Sequence, residues 1–389
     1  MRLRSQRIVT PAGTIAGEVT IAGRLITGVG SEDGQAPPAG SDEVIDLGGH
    51  WLVPGYIDTH VHGGGGAQFN TTELDEVAGA AAFHADHGTT ALLATTVSAP
   101  LDELEDALRT IAAVGGDDGI RGAAVLGCHL EGPFLSTARP GAMDPDTFAD
   151  ADPEILHRLL AAANGRVRWM TLAPELPGAI ELVRELASNG IVAALGHTDA
   201  TYDQALAAVD AGARAATHVF NAMSPLHHRE PGVLGAVLDS EGISIELICD
   251  GVHVDPAVLR LAFRAKGGQR VRLVTDAMAA AGMPDGEYRL GTATVRVTEG
   301  RATLAQGSSI AGSTLTMEMA VANAVRFLGI SVEEAVAMAS SIPARELGLE
   351  HCKGAIASGM DADLVILDDE LRVRATLIGG TWVNEVPSG

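Results

Sequence analysis

Residues 51–62, Trp51-Leu-Val-Pro-Gly-Tyr-Ile-Asp-Thr-His60-Val-His62, decide which fold the chain adopts. An apolar run leads into two histidines that are separated by one residue. Successive side chains on a strand point to opposite faces, so His60 and His62 share a face and both reach one metal ion from a strand end. For this spacing alone, two surface histidines at the start of a loop are the alternative. In an α/β barrel the carboxyl ends of the strands form the catalytic face, which favours the metal site.

Short apolar runs alternate with alanine-rich helical stretches along the middle of the chain. The candidate strands span residues 51–60, 91–96, 123–129, 168–172, 191–196, 215–219, 243–249 and 271–275. Amphipathic helices are predicted between them, for example over residues 72–87, where Thr72 and Asp75 form a capping box and Gly88 ends the helix. Eight strands that alternate with helices predict an α/β fold, a (β/α)8 TIM-like barrel.

Both ends of the chain have β character. Residues 17–21 and 24–28, and residues 362–367 and 376–383, form short β-rich runs next to glycine or proline turns. The simplest arrangement pairs these runs in a small composite β-sandwich module beside the barrel. We therefore predict a module built from residues 1–53 and 354–389, and a barrel that contains the metal site, built from residues 54–353.

Composition excludes several classes of partner. The formal net charge is −24, from 50 acidic and 26 basic side chains, so the surface repels nucleic acid and anionic membranes. No run of eighteen apolar residues is present, and the basic N-terminus lacks the apolar segment of a secretory signal. The three cysteines, Cys128, Cys249 and Cys352, form no CxxC pair, so we expect reduced thiols and a cytoplasmic location.

Further side chains that bind metals or transfer protons stand at the ends of predicted strands. They are Glu131, His197, His218 and Asp276. Each one alone is more often an ordinary polar residue, but the strand ends of a barrel converge on one site. Together with His60 and His62 they therefore predict a divalent metal centre. Imidazole and carboxylate ligands suit zinc, iron, manganese or cobalt and do not distinguish among them.

Asp276 is the candidate general base. A carboxylate beside a metal-activated water accepts the proton of that water and later protonates a leaving amine. A further metal ligand or a structural hydrogen-bond acceptor is the alternative role for this residue.

A second group of residues suits an anion or a sugar. Asn221 and Ala222 follow the sixth predicted strand, Arg229 comes a few residues later, and His253 follows the seventh. The planar fork of an arginine donates two hydrogen bonds to a phosphate, although the spacing fits a surface arginine equally well. Residues 310–317 open a helix, and their backbone N–H groups are candidates to face a ligand.

Taken together, these motifs resemble those of the N-acetylglucosamine-6-phosphate deacetylase family of the amidohydrolase superfamily over nearly the whole chain. The matching segments are PGYIDTHVHG, HLEGPF, LGHTDA, THVFNAM followed by REPG, DGVHV, VTDAM, AGSTLTM and GMDADLVILD. The resemblance implies hydrolysis of the acetamide of N-acetylglucosamine 6-phosphate, a small sugar phosphate, to glucosamine 6-phosphate and acetate.

The resemblance also implies a role for each matching residue. It makes Glu131, His197 and His218 metal ligands and Asp276 the acid and base. It implies substrate contacts by Ala142, Met143, Asn221, Ala222, Arg229, His253, Ile310, Ala311 and Gly312. It further implies a homodimer that lends Arg229 across its interface, and one or two metal ions per subunit, depending on His60 and His62. Relatives commonly have a polar residue where Met143 stands, which bears on substrate preference.

The sequence differs from related enzymes in the ligand that would bridge two metals. Dihydroorotases and hydantoinases bridge two metals with a carbamylated lysine, but the only lysines here, Lys266 and Lys353, do not end a barrel strand. Glu131 stands where such a bridge is expected.

Two alternative functions stay open. The first alternative is an amidohydrolase of the same fold that acts on another N-acyl amino sugar or N-acyl amine. The second is a non-catalytic binding protein that keeps the barrel.

Overall fold

The structure, a computed structural model, describes residues 1–31, 44–114 and 122–384. Strands are numbered in chain order. They are β1 (Arg2–Thr10), β2 (Gly13–Ala22), β3 (Leu25–Ser31), β4 (Val44–Asp46), β5 (Trp51–Pro54), β6 (Tyr56–Val61), β7 (Gly63–Gly64), β8 (Ala67–Gln68), β9 (Thr89–Val97), β10 (Ala124–Glu131), β11 (Val167–Leu172), β12 (Val192–Leu195), β13 (Ala215–Ala216), β14 (Ser244–Ile248), β15 (Val271–Val274), β16 (Gly286–Leu290), β17 (Ala293–Thr298), β18 (Arg301–Leu304), β19 (Leu364–Leu367), β20 (Val373–Ile378) and β21 (Thr381–Trp382).

Helices connect most of the strands in the middle of the chain. They are α1 (Leu74–Asp86), α2 (Leu101–Val114), α3 (Pro153–Ala162), α4 (Ala179–Ser188), α5 (Tyr202–Ala211), α6 (Gly232–Asp239), α7 (Pro256–Lys266), α8 (Met317–Leu328), α9 (Val332–Ala339) and α10 (Ser341–Glu346). Each of α1 to α7 stands between two successive parallel strands, which is the repeating unit of an α/β barrel.

Eight parallel strands form the barrel, in the order β6, β9, β10, β11, β12, β13, β14, β15. Nearly all of their residues are buried, because helices cover the outside and side chains fill the inside. The first and last strands meet where the backbone N–H of Asp276 donates to the carbonyl of His60 over 2.9 Å. The predicted α/β barrel is therefore confirmed.

Asp58 fastens the two strands that close the barrel. Its carboxylate accepts hydrogen bonds from the Thr275 hydroxyl at 2.5 Å and from the backbone N–H of His60 at 3.2 Å. Complete burial raises the pKa of Asp58 to about 7, although these hydrogen bonds oppose the rise. The clamp fixes the end of β6 next to the end of β15, and both ends carry residues of the predicted metal centre.

The two ends of the chain build one further sheet, in the order β21, β20, β19, β5, β1, β2, β3, with β4 beside β1. The prediction of one barrel strand over residues 51–60 is wrong, because the run is divided at Gly55. Its first part, β5, joins the terminal sheet between β1 and β19, and only β6 belongs to the barrel. The predicted domain bounds stay a prediction, and they include residues 32–43 and 385–389, which lie outside the described part.

One further expectation about local structure is wrong, and one sheet was not predicted. Helix α1 begins at Leu74 after Glu73, and no side chain caps its N-terminus, so the predicted capping box at Thr72 is absent. The antiparallel strands β16, β17 and β18 form a separate small sheet after the last barrel strand, and the sequence pattern did not predict it.

Among the described residues, no helix is long and apolar enough to cross a membrane.

Leu52 tests whether the two chain ends are held together by the terminal sheet. It is fully buried and pairs with Ile8 on one side and Ile366 on the other. We expect Leu52→Ala to lower the free energy of unfolding by about 2–5 kcal/mol, because truncation leaves a cavity. Leu261→Ala, at a residue that is 63% exposed, should change it by less than about 0.5 kcal/mol. Urea denaturation measures both, and equal changes would contradict the packing described.

Candidate metal centre and substrate cavity

The six predicted metal-centre residues lie at the carboxyl ends of barrel strands. His60 lies near the end of β6 and Glu131 is the last residue of β10. The others follow closely after β6, β12, β13 and β15: His62, His197, His218 and Asp276. Each side chain is at least nine-tenths buried. Parallel strands of one barrel bring these ends together, although the residues are far apart in sequence.

The first group consists of His60, His62 and Asp276. The Nε2 atoms of the two histidines are 3.1 Å apart. Asp276 Oδ1 lies 3.0 Å from Nε2 of His62 and 3.6 Å from Nε2 of His60. Three ligand atoms from two adjacent strands therefore face one small volume.

The second group consists of Glu131, His197 and His218. Oε1 of Glu131 lies 3.1 Å from Nε2 of His197 and 2.8 Å from Nε2 of His218. The other oxygen, Oε2, lies 3.3 Å from Nε2 of His62 and 3.7 Å from Nε2 of His60. Glu131 thus stands between the two groups and presents one oxygen to each.

The outer nitrogens of the histidines show which ring atoms are free to bind a cation. Nδ1 of His60 faces the Glu246 carboxylate at 3.0 Å, and Nδ1 of His62 faces the carbonyl of Thr95 at 3.2 Å. Both partners accept hydrogen bonds only, so a neutral ring carries its proton on Nδ1 and turns the Nε2 lone pair inward. Nδ1 of His197 likewise faces a carbonyl, at 3.1 Å.

Lone pairs and carboxylate oxygens therefore converge, and a cation between them relieves their mutual repulsion. Imidazole nitrogens and carboxylate oxygens form the usual ligand set of zinc and similar divalent metals. The outward hydrogen bonds from ligating histidines are typical of metal sites as well. The residues present fit a divalent metal ion.

Ionisation of these groups follows the same pattern. Burial opposes a charge on Glu131 and Asp276, but the positive charge on His60 and further contacts with histidines hold the pKa of both carboxyl groups below the usual range. Burial also opposes a charge on His62, but hydrogen bonds to Asp276 and Glu131 raise its pKa to about 8. The pocket therefore stabilises positive charge.

The backbone around the site is strained. Eight residues other than glycine have a positive φ in the described part of the chain, and five of them line one cavity: His197, His218, Phe220, Ala222 and Asp276. Such conformations cost of order 1–3 kcal/mol each and persist only where the surroundings impose them, as they do at functional sites. With these backbone conformations, the five residues line the cavity at the strand ends.

The cavity above the metal centre has a volume of about 310 Å³. Its lining includes the two acids Glu131 and Asp276, the histidines His62, His197 and His218, and seven of the nine predicted substrate contacts: Ala142, Met143, Asn221, Ala222, His253, Ile310 and Gly312. His253 is oriented by Asp250, whose Oδ2 lies 2.6 Å from its Nδ1.

Two predicted substrate contacts do not line this cavity. Ala311 is fully buried, and its backbone N–H donates to the carbonyl of Ala302. Arg229 is exposed, and its guanidinium lies 2.7 Å from a ring nitrogen of His228. No arginine or lysine of the described residues lines the cavity of a single chain.

Other lining residues were not identified from the sequence. They are Val97, Gly141, Phe220, Leu290 and Ser309. Val97 ends β9, so its position at a strand end was a usable signal. Leu290 and Ser309 come from or follow the unpredicted sheet of β16 to β18, so no signal in the sequence pointed to them.

Two further histidines are buried close to the site. His84 on α1 is fully buried, and its Nε2 donates to the carbonyl of Gly63 at 2.9 Å. Burial lowers the pKa of His84 to about 4. His129 is buried beneath the centre, with Nε2 2.8 Å from the Thr171 hydroxyl. This contact links β10, which also carries Glu131, to β11.

Comparison with known proteins agrees with this geometry. The model of the amidohydrolase family matches residues 51–383. The chain belongs to the amidohydrolase family. The model of the composite domain of allantoinase matches residues 3–49, a range that includes most of β1 and all of β2 to β4. The superfamily predicted from the sequence motifs is therefore confirmed, and amidohydrolases depend on metal ions.

Individual relatives within this family are similar to the chain over most of its length. The N-acetylglucosamine-6-phosphate deacetylase of Lysinibacillus sphaericus is 40% identical over 339 residues, which cover 85% of each protein. The N-acetylgalactosamine-6-phosphate deacetylase of Escherichia coli O157:H7 is 39% identical over 97% of this chain and 98% of its own length. A solved structure from Mycobacterium smegmatis, an aspartate-to-alanine variant of N-acetyl-D-glucosamine-6-phosphate deacetylase in complex with N-acetyl-D-glucosamine-6-phosphate, has a TM-score of 0.92 and 42% identity, and 99% of each chain is covered.

Proposed function

We propose that this chain hydrolyses the acetamide of N-acetylglucosamine 6-phosphate and releases glucosamine 6-phosphate and acetate. The observation that carries the proposal is the position of Glu131 between two histidine-containing groups, at the floor of a cavity that Asp276 also lines. The activity that the names of the similar proteins state supports the same conclusion. This arrangement favours an enzyme over a binding protein that has lost its chemistry.

Two divalent metal ions per chain are part of the proposal. His60, His62 and Asp276 would hold one ion, His197 and His218 the other, and Glu131 would contact both. Zinc, iron, manganese and cobalt all suit these ligands. When bound, the ions would lower the pKa of water and polarise the amide carbonyl.

Asp276 would move the proton that the reaction needs. Its carboxylate is ionised, lines the cavity and is held 3.0 Å from His62. It would accept a proton from the attacking water while the water oxygen bonds to the acetyl carbon. It would then give that proton to the sugar nitrogen as the carbon–nitrogen bond breaks. The products are acetate and a free amine, so atoms and charges balance.

The other lining residues would orient the sugar. Asn221 and His253 offer polar groups to hydroxyls or to the phosphate, and the backbone at Ala222 and Gly312 lets a ligand approach closely. Met143 gives the cavity an apolar wall, at a position where the family resemblance implies a polar residue. We propose that this wall shifts the preference among N-acyl groups towards apolar ones.

Arg229 would complete the phosphate site from a second copy of the chain. A phosphate carries close to two negative charges, and no arginine or lysine of the described residues lines the cavity. The proposed homodimer supplies that charge, because the exposed Arg229 would lie in the neighbouring cavity. The predicted cytoplasmic location stays a prediction.

N-acetylgalactosamine 6-phosphate is a second candidate substrate. The relative that matches 97% of this chain is an N-acetylgalactosamine-6-phosphate deacetylase. The two sugar phosphates differ only in the configuration at carbon 4, so the same centre would serve both. Turnover of the two substrates at equal concentration shows which one the cavity prefers.

Metal content tests the proposed pair of ions. After dialysis against zinc and removal of free metal, mass spectrometry should find two ions per wild-type chain. His62→Asn should retain about one, because the second group is intact. Glu131→Gln should weaken at least one position, because its amide offers one oxygen where the carboxylate offers one to each group. His157→Asn, at a 60% exposed histidine, is the control and should retain two. Unchanged content in His62→Asn would contradict the assignment.

Asp276→Asn should reduce turnover of N-acetylglucosamine 6-phosphate by about 10²–10⁴-fold, because the amide cannot take the proton of water. Metal content should stay at the wild-type value, since an oxygen atom still faces the centre. Asp203→Asn, at an exposed residue of α5, is the matched control with normal turnover. Steady-state kinetics measure both variants, and near-normal activity of Asp276→Asn would refute the general-base role.

Arg229→Ala should lower kcat/KM for N-acetylglucosamine 6-phosphate by about 10–100-fold, the value of one or two charge-assisted hydrogen bonds. Turnover of unphosphorylated N-acetylglucosamine should not change, and Arg184→Ala, at a 60% exposed arginine, should leave both rates normal. Equal losses on both sugars would rule out a phosphate role.

A mixing experiment tests whether Arg229 acts across a dimer. Heterodimers of Arg229→Ala and Asp276→Asn chains contain one cavity with Asp276 and the partner's intact arginine. Activity on N-acetylglucosamine 6-phosphate should therefore rise when the two impaired variants are mixed and allowed to exchange subunits. No recovery in exchanged heterodimers would place Arg229 in its own chain's site or outside any site.

A further inference from the structure

Glu246, on the seventh barrel strand β14, is fully buried beneath the metal centre. Its Oε2 lies 3.0 Å from Nδ1 of His60 and accepts the backbone N–H of His218 at 3.1 Å. One carboxylate oxygen therefore contacts a residue of each ligand group. Sequence reasoning did not single out Glu246, because it lies inside a strand rather than at its end.

Arg272 holds this carboxylate from the opposite side. Its guanidinium donates from Nη2 to Oε1 of Glu246 at 3.0 Å, and it also contacts the carboxylate of Glu346. It lies over the ring of Trp169, 4.2 Å from the ring centroid. Arg272 is fully buried, and the opposite charge makes burial of the Glu246 carboxylate tolerable.

We propose that Glu246 is a positioning residue of the metal centre, which holds the His60 ring in the tautomer that leaves Nε2 free for a cation. The inference rests on the proposed function, since it assigns a role within the same centre. Carboxylates that accept the outer N–H of a ligating histidine fix both ring orientation and tautomer. None of the site residues predicted from the sequence performs this task for His60, whose Nδ1 faces Glu246.

The contact with His218 gives Glu246 a second task. His218 has a φ of +26°, a conformation that non-glycine residues seldom adopt. The hydrogen bond from its backbone N–H to Glu246 is one of the contacts that impose this conformation. Because the same oxygen also holds His60, Glu246 sets the distance between the two ligand groups.

Replacement of Glu246 by methionine, which has a similar length but accepts no strong hydrogen bond, tests the proposal. Zinc binding to Glu246→Met is measured by titration against a chelator that competes for zinc. We expect one of the two sites to bind about 10–100-fold more weakly than in the wild-type protein. Excess zinc should restore most of the lost turnover, which a purely structural defect would not allow.

Two further variants control the experiment. Glu346→Met removes the other carboxylate from the same Arg272 but does not touch His60, so zinc affinity should stay normal. Glu246→Gln keeps a carbonyl oxygen and should recover part of the zinc affinity lost in Glu246→Met. Normal zinc affinity in Glu246→Met, or an equal loss in Glu346→Met, would overturn the proposal.

If Glu246→Met does not fold, the wild-type protein still decides the question. In ¹⁵N-histidine-labelled, zinc-loaded protein, NMR should find the Nδ1 proton of His60 shifted downfield and slow to exchange, as a hydrogen bond to the Glu246 carboxylate requires. A fast-exchanging Nδ1 proton without that shift would overturn the proposal. These outcomes are separate from the proposed activity. A chain that binds zinc as described but does not deacetylate N-acetylglucosamine 6-phosphate would refute the function and leave the role of Glu246 intact.

Discussion

The chemistry of this chain depends on one buried carboxylate and the four histidines around it. Oε1 of Glu131 faces His197 and His218, and Oε2 faces His60 and His62, all within 3.7 Å. Burial would normally keep a carboxyl group neutral, but here the histidines hold its pKa well below the usual range. The same surroundings stabilise positive charge, and the ligand atoms of both groups converge within this cluster, so its geometry fits a divalent metal centre.

The barrel supplies the constraint that makes this cluster stable. Its strand ends impose strained conformations on His197, His218 and Asp276, which an isolated loop would not keep. The Asp58 clamp closes the barrel beside His60, and Glu246 supports the ring of His60 from below. Packing of the whole barrel stabilises these conformations, so the ligand atoms are in place before any cation or substrate binds.

Local patterns in the sequence predicted the barrel and the metal-centre residues, because both have short-range signatures. Alternating faces on a strand connect His60 with His62, and polar residues at the ends of apolar runs identify Glu131 and Asp276. Interactions between distant segments left no such signature. The division of residues 51–60 at Gly55 depends on pairing with β1 and β19, and the burial of His84 depends on the carbonyl of Gly63. Glu246 lies within a mostly apolar strand, and its partners His60, His218 and Arg272 come from other strand segments of the barrel.

Anomalous X-ray diffraction from crystals of the zinc-loaded protein, recorded on both sides of the zinc absorption edge, tests the central claim most directly. The account predicts two anomalous peaks per chain, one beside His60, His62 and Asp276 and one beside His197 and His218, with the Glu131 carboxylate between them. Zinc bound elsewhere, or a single peak at full zinc occupancy that Glu131 does not contact, would contradict it.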